Sequence, residues 1–78
     1  MHQQTLNMKK TKINFTKELG QLCFSDSPTA RKEIMEVTGW SKALLTLKSQ
    51  GKRGCFEKDL QNVKMVLYKY GVEFQYKI

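Results

Sequence analysis

The sequence is short of the residues from which metal sites and activated nucleophiles are built. Its single histidine stands at position 2, and Cys23 and Cys55 are its only cysteines, so no zinc-finger ligand set can be assembled. No histidine accompanies a cysteine or serine in a segment expected to be ordered, the acidic residues fall singly on helix surfaces, and phosphate-loop and dinucleotide motifs are absent. The chain is therefore expected to be neither an enzyme nor a cofactor carrier. Cys55 lies between Arg53 and Lys58, which favours either a thiol of lowered pKa or a small apolar side chain tucked under a loop. No apolar run nears the roughly 18 residues of a bilayer-spanning helix, and the opening MHQQTLNMKK lacks the apolar centre of a signal peptide. The expectation is a soluble, cytoplasmic protein with no membrane partner and with reduced thiols.

Acid is also scarce. Asp and Glu total 7 against 14 Lys and Arg, a formal charge of +7, and no acid falls between Glu36 and Glu57. Such a balance favours an anionic partner: nucleic acid, a membrane face or an acidic protein surface. A chain of 78 residues forms one small domain. Four Phe, three Tyr and one Trp supply material for a core, and domains of this size often gain stability by dimerising.

The pattern along the chain predicts a mainly α fold. Residues 1–10 read as a flexible basic arm and residues 11–78 as a single domain. Thr11, Ile13 and Phe15 alternate with polar residues, as in a short strand. From about Thr16 to Phe24, Leu19, Leu22 and Cys23 share one helical face, with Asn14 or Thr16 as cap. Ser25-Asp26-Ser27-Pro28 stops that helix and starts a second, with Asp26 or Ser27 as cap and Pro28 in the first turn, where its missing donor costs nothing. The second helix runs to about Val37, with Ala30, Ile34 and Val37 inward and Arg31, Lys32, Glu33 and Glu36 outward. Gly39 breaks it, Ser41 caps a third helix from Lys42 to about Gln50, and Gly51 closes that one. Glu57 to Tyr70 carries the clearest 3.6-residue period, at Leu60, Val63, Leu67 and Tyr70 with Val66 beside them, and Gly71 ends it. Val72, Phe74, Tyr76 and Ile78 then alternate with polar residues, which predicts a C-terminal strand pairing with the N-terminal strand or across a dimer.

Two helices joined by three or four residues form an angled pair, and in a helix-turn-helix the second of such a pair enters the major groove. The third helix is then the reader. Ser41, Thr46, Ser49 and Gln50 offer short polar groups to base edges, while Lys42, Lys48, Lys52 and Arg53 attract phosphate. The start of the second helix, around Ser27 and Thr29, offers free amides to a further phosphate. EIMEVTGWSKALLTLKSQG followed by VLYKYGVEFQ resembles the helix-turn-helix domain of the Cro and phage-repressor (XRE-like) family, through Gly39-Trp40-Ser41, Gly51 and Gly71-Val72-Glu73-Phe74. The resemblance spans residues 13 to 75 and implies a four-to-five-helix domain that binds double-stranded DNA as a homodimer and regulates transcription, with no cofactor.

The chain departs from that family where Met35 replaces a small residue and Lys48 an apolar one, with Leu47 where a polar residue is expected. Either the third helix is turned to bury Leu44 and Leu47, or Leu47 and Trp40 form an exposed patch for a protein partner; Trp40 packing between the helices is the simpler alternative. Two other functions fit the composition. Gly51-Lys52-Arg53-Gly54 spells the GxxG with which KH domains clamp single-stranded RNA. A small phage-type inhibitor or adaptor would bind another protein through the same basic surface or through the C-terminal strand.

Overall fold

The computed structural model describes residues 10–75, so the expected arm through residue 9 and the end of the expected tail strand, residues 76–78, lie outside the described residues. Among the described residues there are four helices: α1, Thr16–Gly20; α2, Ser27–Thr38; α3, Lys42–Ser49; and α4, Glu57–Lys69. Two short strands, β1 (Lys10–Thr11) and β2 (Cys55–Phe56), pair antiparallel with Lys10 opposite Phe56 and Thr11 opposite Cys55. The helical expectation holds in outline. The partner of the N-terminal strand does not: among the described residues it is β2, directly before α4, and not residues 72–75 of the tail.

The tail differs for a reason its own alternation contains. Val72 and Phe74 are buried while Glu73 and Gln75 are exposed, so the apolar face lies on the core without joining a ladder. The Val72 amide donates to the Leu67 carbonyl at 2.8 Å, folding the chain back over the end of α4, and the Phe74 ring stands 5.4 Å from that of Phe15. Period-two burial records a one-sided environment, and a helix surface provides one as well as a sheet does.

α4 keeps the stripe read from its sequence, with Leu60, Val63, Val66 and Leu67 buried and Tyr70 half-buried at its end. Glu57 and Asp59 in its first turn and Lys69 in its last complement the helix dipole. α2 packs chiefly against it through Ala30 and Ile34. Val37, expected inward, is 46% exposed, because the period that buries Ile34 carries position 37 to the edge of the interface. Lys69 and Tyr70 bridge the same helices by donating to Glu33, at 2.8 and 3.0 Å.

α1 stops at Gly20, short of the expected Phe24. The chain must turn at once to start α2: the amides of Asp26 and Ser27 both donate to the Cys23 carbonyl at 2.9 Å. Leu22 stays buried, but Cys23 and Phe24 swing into solvent, so Cys23 is not part of the helical face assigned to it. The expected cap on α1 is not at Asn14 or Thr16: Phe15 holds the cap position with no side-chain cap bond, and the Asn14 side-chain oxygen, one residue earlier, accepts from the Thr16 amide at 3.1 Å. Neither expected side-chain cap forms on α2; Asp26 makes no cap bond, and the Ser27 hydroxyl accepts instead from Arg31 Nε at 3.1 Å.

Candidate nucleic-acid interface

The turn between α2 and α3 is built from backbone constraints. Gly39 adopts φ 79°, a left-handed conformation that costs other residues roughly 1–2 kcal/mol, and its amide donates to the Met35 carbonyl at 2.8 Å. Thr38 locks the corner: its hydroxyl donates to the Ile34 carbonyl at 2.7 Å and accepts from the Trp40 amide at 3.2 Å. Trp40 turns inward and is buried, and Ser41 Oγ accepts from the Leu44 amide at 3.2 Å to cap α3. Three residues, Gly39 to Ser41, therefore join the helices.

The rotation of α3 is set by Leu45 and Ser49, four residues apart and both buried. Leu44 packs partly against the core and Leu47 is half-buried, so neither is the principal anchor; Trp40 lies in the core, as the simpler alternative had it, and the Trp40–Leu47 surface patch does not form. The outer face presents Lys42, Ala43, Thr46 and, at the helix end, Gln50.

This rotation corrects two of the expected site residues. Ser49, expected on the reading face, is only 4% exposed. Its hydroxyl donates to the Thr46 carbonyl at 2.8 Å, while its carbonyl accepts from the Phe15 amide and the Thr16 hydroxyl at 2.8 and 3.1 Å. It is a structural junction with the N-terminal segment. Lys48 is half-buried, its ammonium donating to the Gly54 carbonyl at 2.8 Å and lying 5.1 Å from the centre of the Trp40 ring. Here a lysine occupies the expected apolar position by laying its stem on the core and its charge on a carbonyl and a ring. That charge is held inward, away from a phosphate.

The remaining residues stay accessible. Ser41, Lys42, Thr46, Gln50, Lys52, Arg53 and Thr29 are all exposed. Thr46 Oγ1 donates to the Lys42 carbonyl at 3.2 Å, so toward a ligand it is an acceptor. In the first turn of α2 the Ser27 amide is taken by Cys23 and Pro28 has none, which leaves Thr29 as the amide to offer. The basic surface missed by sequence reasoning is the start of α2: Lys32 is exposed and Arg31 half-buried beside Lys42, and their neighbourhood follows from the angled turn, not from spacing along the chain.

The Gly51–Gly54 loop owes its glycines to backbone conformation at one end and packing at the other. Gly51 has φ 75° and passes against the Ile13–Asn14 backbone, while a Cβ on Gly54 would meet Lys10 Cβ at 2.7 Å. Asn14 and Gln50 form an isolated bridge beside this loop. Gly54 is thus demanded by the close approach of Lys10 and Gly51 by its left-handed backbone, whatever the loop touches outside.

The two thiols sit in opposite environments. Cys23 is exposed, and a hydrogen bond with the Ser25 hydroxyl at 3.5 Å lowers its pKa. Cys55 is buried in β2, and desolvation pushes its thiol up, against the nearby Lys48 charge that would lower it. It is therefore the small apolar side chain under a loop. Among the described residues no group of His, Cys, Asp and Glu could hold a metal ion, and no helix is long and apolar enough to cross a membrane.

No protein-family model, curated protein or solved structure matches the chain.

Proposed function

We propose that this chain binds double-stranded DNA and regulates transcription, presenting the outer face of α3 to the major groove. The observation that carries the reading is the α2–α3 corner: a left-handed Gly39, a three-residue link and a Ser41 cap aim a short helix outward with no acidic residue from its start to its exit loop. Lys42, Lys52 and Arg53, with the Thr29 amide, neutralise phosphates and orient the domain. Ser41, Thr46 and Gln50 meet base edges. Thr46 accepts from an exocyclic amine, and the Gln50 amide pairs with the donor and acceptor of adenine. Ser49 and Lys48 support the helix from behind and touch no base.

Binding as a homodimer belongs to the same proposal. With Val72 and Phe74 in the core, the large apolar side chains exposed among the described residues are Phe24 at the other end of α2 and the set Val37, Met65 and Tyr68 on α2 and α4, and we assign the second copy to that set.

Selection of bound duplexes from a random pool, followed by gel-shift assays, tests the reading. Gln50→Ala is expected to relax preference at one base-pair position by about 1–3 kcal/mol, whereas Lys52→Ala weakens all duplexes alike and lowers the salt slope by about one. Recovery of no preferred duplex, or stronger binding to single-stranded RNA, refutes it.

A further inference from the structure

Between the start of α2 and the start of α3 lies a groove of about 660 Å³. Its floor is apolar, formed by Pro28, Met35 and Leu45, and Phe24 stands on its edge with 94% of its surface exposed. Arg31, Lys32 and Lys42 line the groove and no acid does. Of the acids nearest in sequence, Asp26 is half-buried between Ser25 and Ser27 and does not line the groove, Glu33 is held by Lys69 and Tyr70 on the α4 side, and Glu36 does not line the groove either.

Each hydroxyl lining this groove already makes one hydrogen bond. Ser25 Oγ is bonded to Cys23 Sγ, Ser27 Oγ accepts from Arg31, and Thr46 Oγ1 donates to the Lys42 carbonyl. What remains unsatisfied is apolar surface and positive charge. A duplex would answer the charge and leave the apolar floor wet. A compact small molecule would sit on the floor and leave Phe24, which nothing backs, in water. A second copy of the chain brings another +7 to a basic rim.

We propose that this groove binds an acidic protein segment that lays large apolar side chains on Pro28, Met35, Leu45 and Phe24 and sets its carboxylates against Arg31, Lys32 and Lys42. An amphipathic helix meets this demand, with apolar anchors at i, i+3 or i+4 and i+7 and acids on the flanks. Removing Phe24 from water supplies the central contact, and the basic rim selects the sign of the partner's charge. Because Lys42 and Thr46 also belong to the outer face of α3, the bound segment and a duplex exclude one another. The peptide site itself stands whether or not the chain binds DNA.

The test uses the full chain and a synthetic helix of about fifteen residues with leucine and phenylalanine on one face and glutamate elsewhere, followed by fluorescence anisotropy. Saturable binding is expected, at least about tenfold weaker for Phe24→Ser and for a peptide with alanine at its anchors, and lost when lysine replaces glutamate in the peptide. Lys32→Glu weakens binding about as much, while Lys58→Glu on α4 leaves it unchanged. Phe24 is too exposed to matter for folding, and a thermal melt of Phe24→Ser matching the unaltered chain confirms this. Duplex affinity is measured on the same variants and is expected to be indifferent to Phe24→Ser. No saturable peptide binding, equal binding of acidic and basic peptides, or indifference of the peptide to Phe24→Ser overturns the proposal. So does self-association that Phe24→Ser abolishes and the peptide cannot displace, which would give the groove to a second copy, or an equal loss of peptide and duplex binding in Phe24→Ser, which would give it to DNA.

Discussion

At the scale of single residues, the side chains most easily misread are polar ones that the fold uses internally. Ser49 fits a list of base readers by chemistry, yet its hydroxyl is turned back onto the Thr46 carbonyl and its own carbonyl holds α3 to Phe15 and Thr16. A serine that accepts no ligand and one that does look alike in sequence, because the difference lies in contacts more than 30 positions away. Lys48 was marked in the sequence as an anomaly, a charge where an apolar residue belonged, and its answer is the Gly54 carbonyl and the Trp40 ring. The cysteines give the clearest test at this scale. Cys23 is exposed with a lowered pKa and Cys55 buried with a raised one, so at a given pH Cys23 carries the larger thiolate fraction and reacts first. Titration of the native chain with a thiol reagent is expected to modify Cys23 quickly, faster still as pH rises, and Cys55 only on unfolding. Equal rates for both thiols in the native chain would show that the β2 site opens freely.

At the scale of elements, what was legible tracks how local the cause is. α4 was readable nearly to the residue because a long stripe, acids at one end and a lysine at the other all agree. The Gly39 turn and Ser41 cap were readable because their chemistry needs only neighbours. The β1–β2 pairing was not, since two-residue strands carry no period and their partner is set by where the Gly51–Gly54 loop returns. α1 was overextended because Leu22 is buried from a turn just as it would be from a helix.

The α2–α4 contact makes a prediction with a pH sign. Hydrogen bonds from Lys69 first, and then Tyr70, hold the Glu33 carboxyl below the usual carboxylate range, and the same contact raises Lys69 and Tyr70. Glu33 therefore adds stability that is present above its unfolded pKa, near 4.3, and lost as pH falls through its lower folded value. Lys69 adds stability that is present below its own unfolded pKa and lost as pH rises through the raised folded one. Glu33→Gln is expected to lower Tm modestly at neutral pH, the site being open to solvent, and the difference should close in acid. Thermal melts of both chains across acid and neutral pH check this, and a Tm difference that persists in acid would assign the loss to packing and not to charge.

At the scale of the whole molecule, the excess of 14 basic over 7 acidic residues was plain from composition, but its placement was not. The fold gathers Lys32, Lys42 and Arg31 around one corner, and it withdraws Lys48 from that surface. It also lays Val72 and Phe74 of the tail on the core, and the proposed dimer contact is then Val37, Met65 and Tyr68. Light scattering is expected to show a dimer that Met65→Glu converts to monomer, with weaker operator binding; a monomer at all working concentrations would remove the dimer from the account.

The central claim is that the outer face of α3 meets duplex DNA. Amide chemical shifts of the isotopically labelled chain, followed while a selected duplex is titrated in, test it most directly. The predicted result is that changes gather at Thr29, Ser41 to Thr46, Gln50, Lys52 and Arg53 and fade steeply with added salt. Absence of duplex binding, or changes confined to the exposed face of α4 around Met65 and Tyr68, would contradict it.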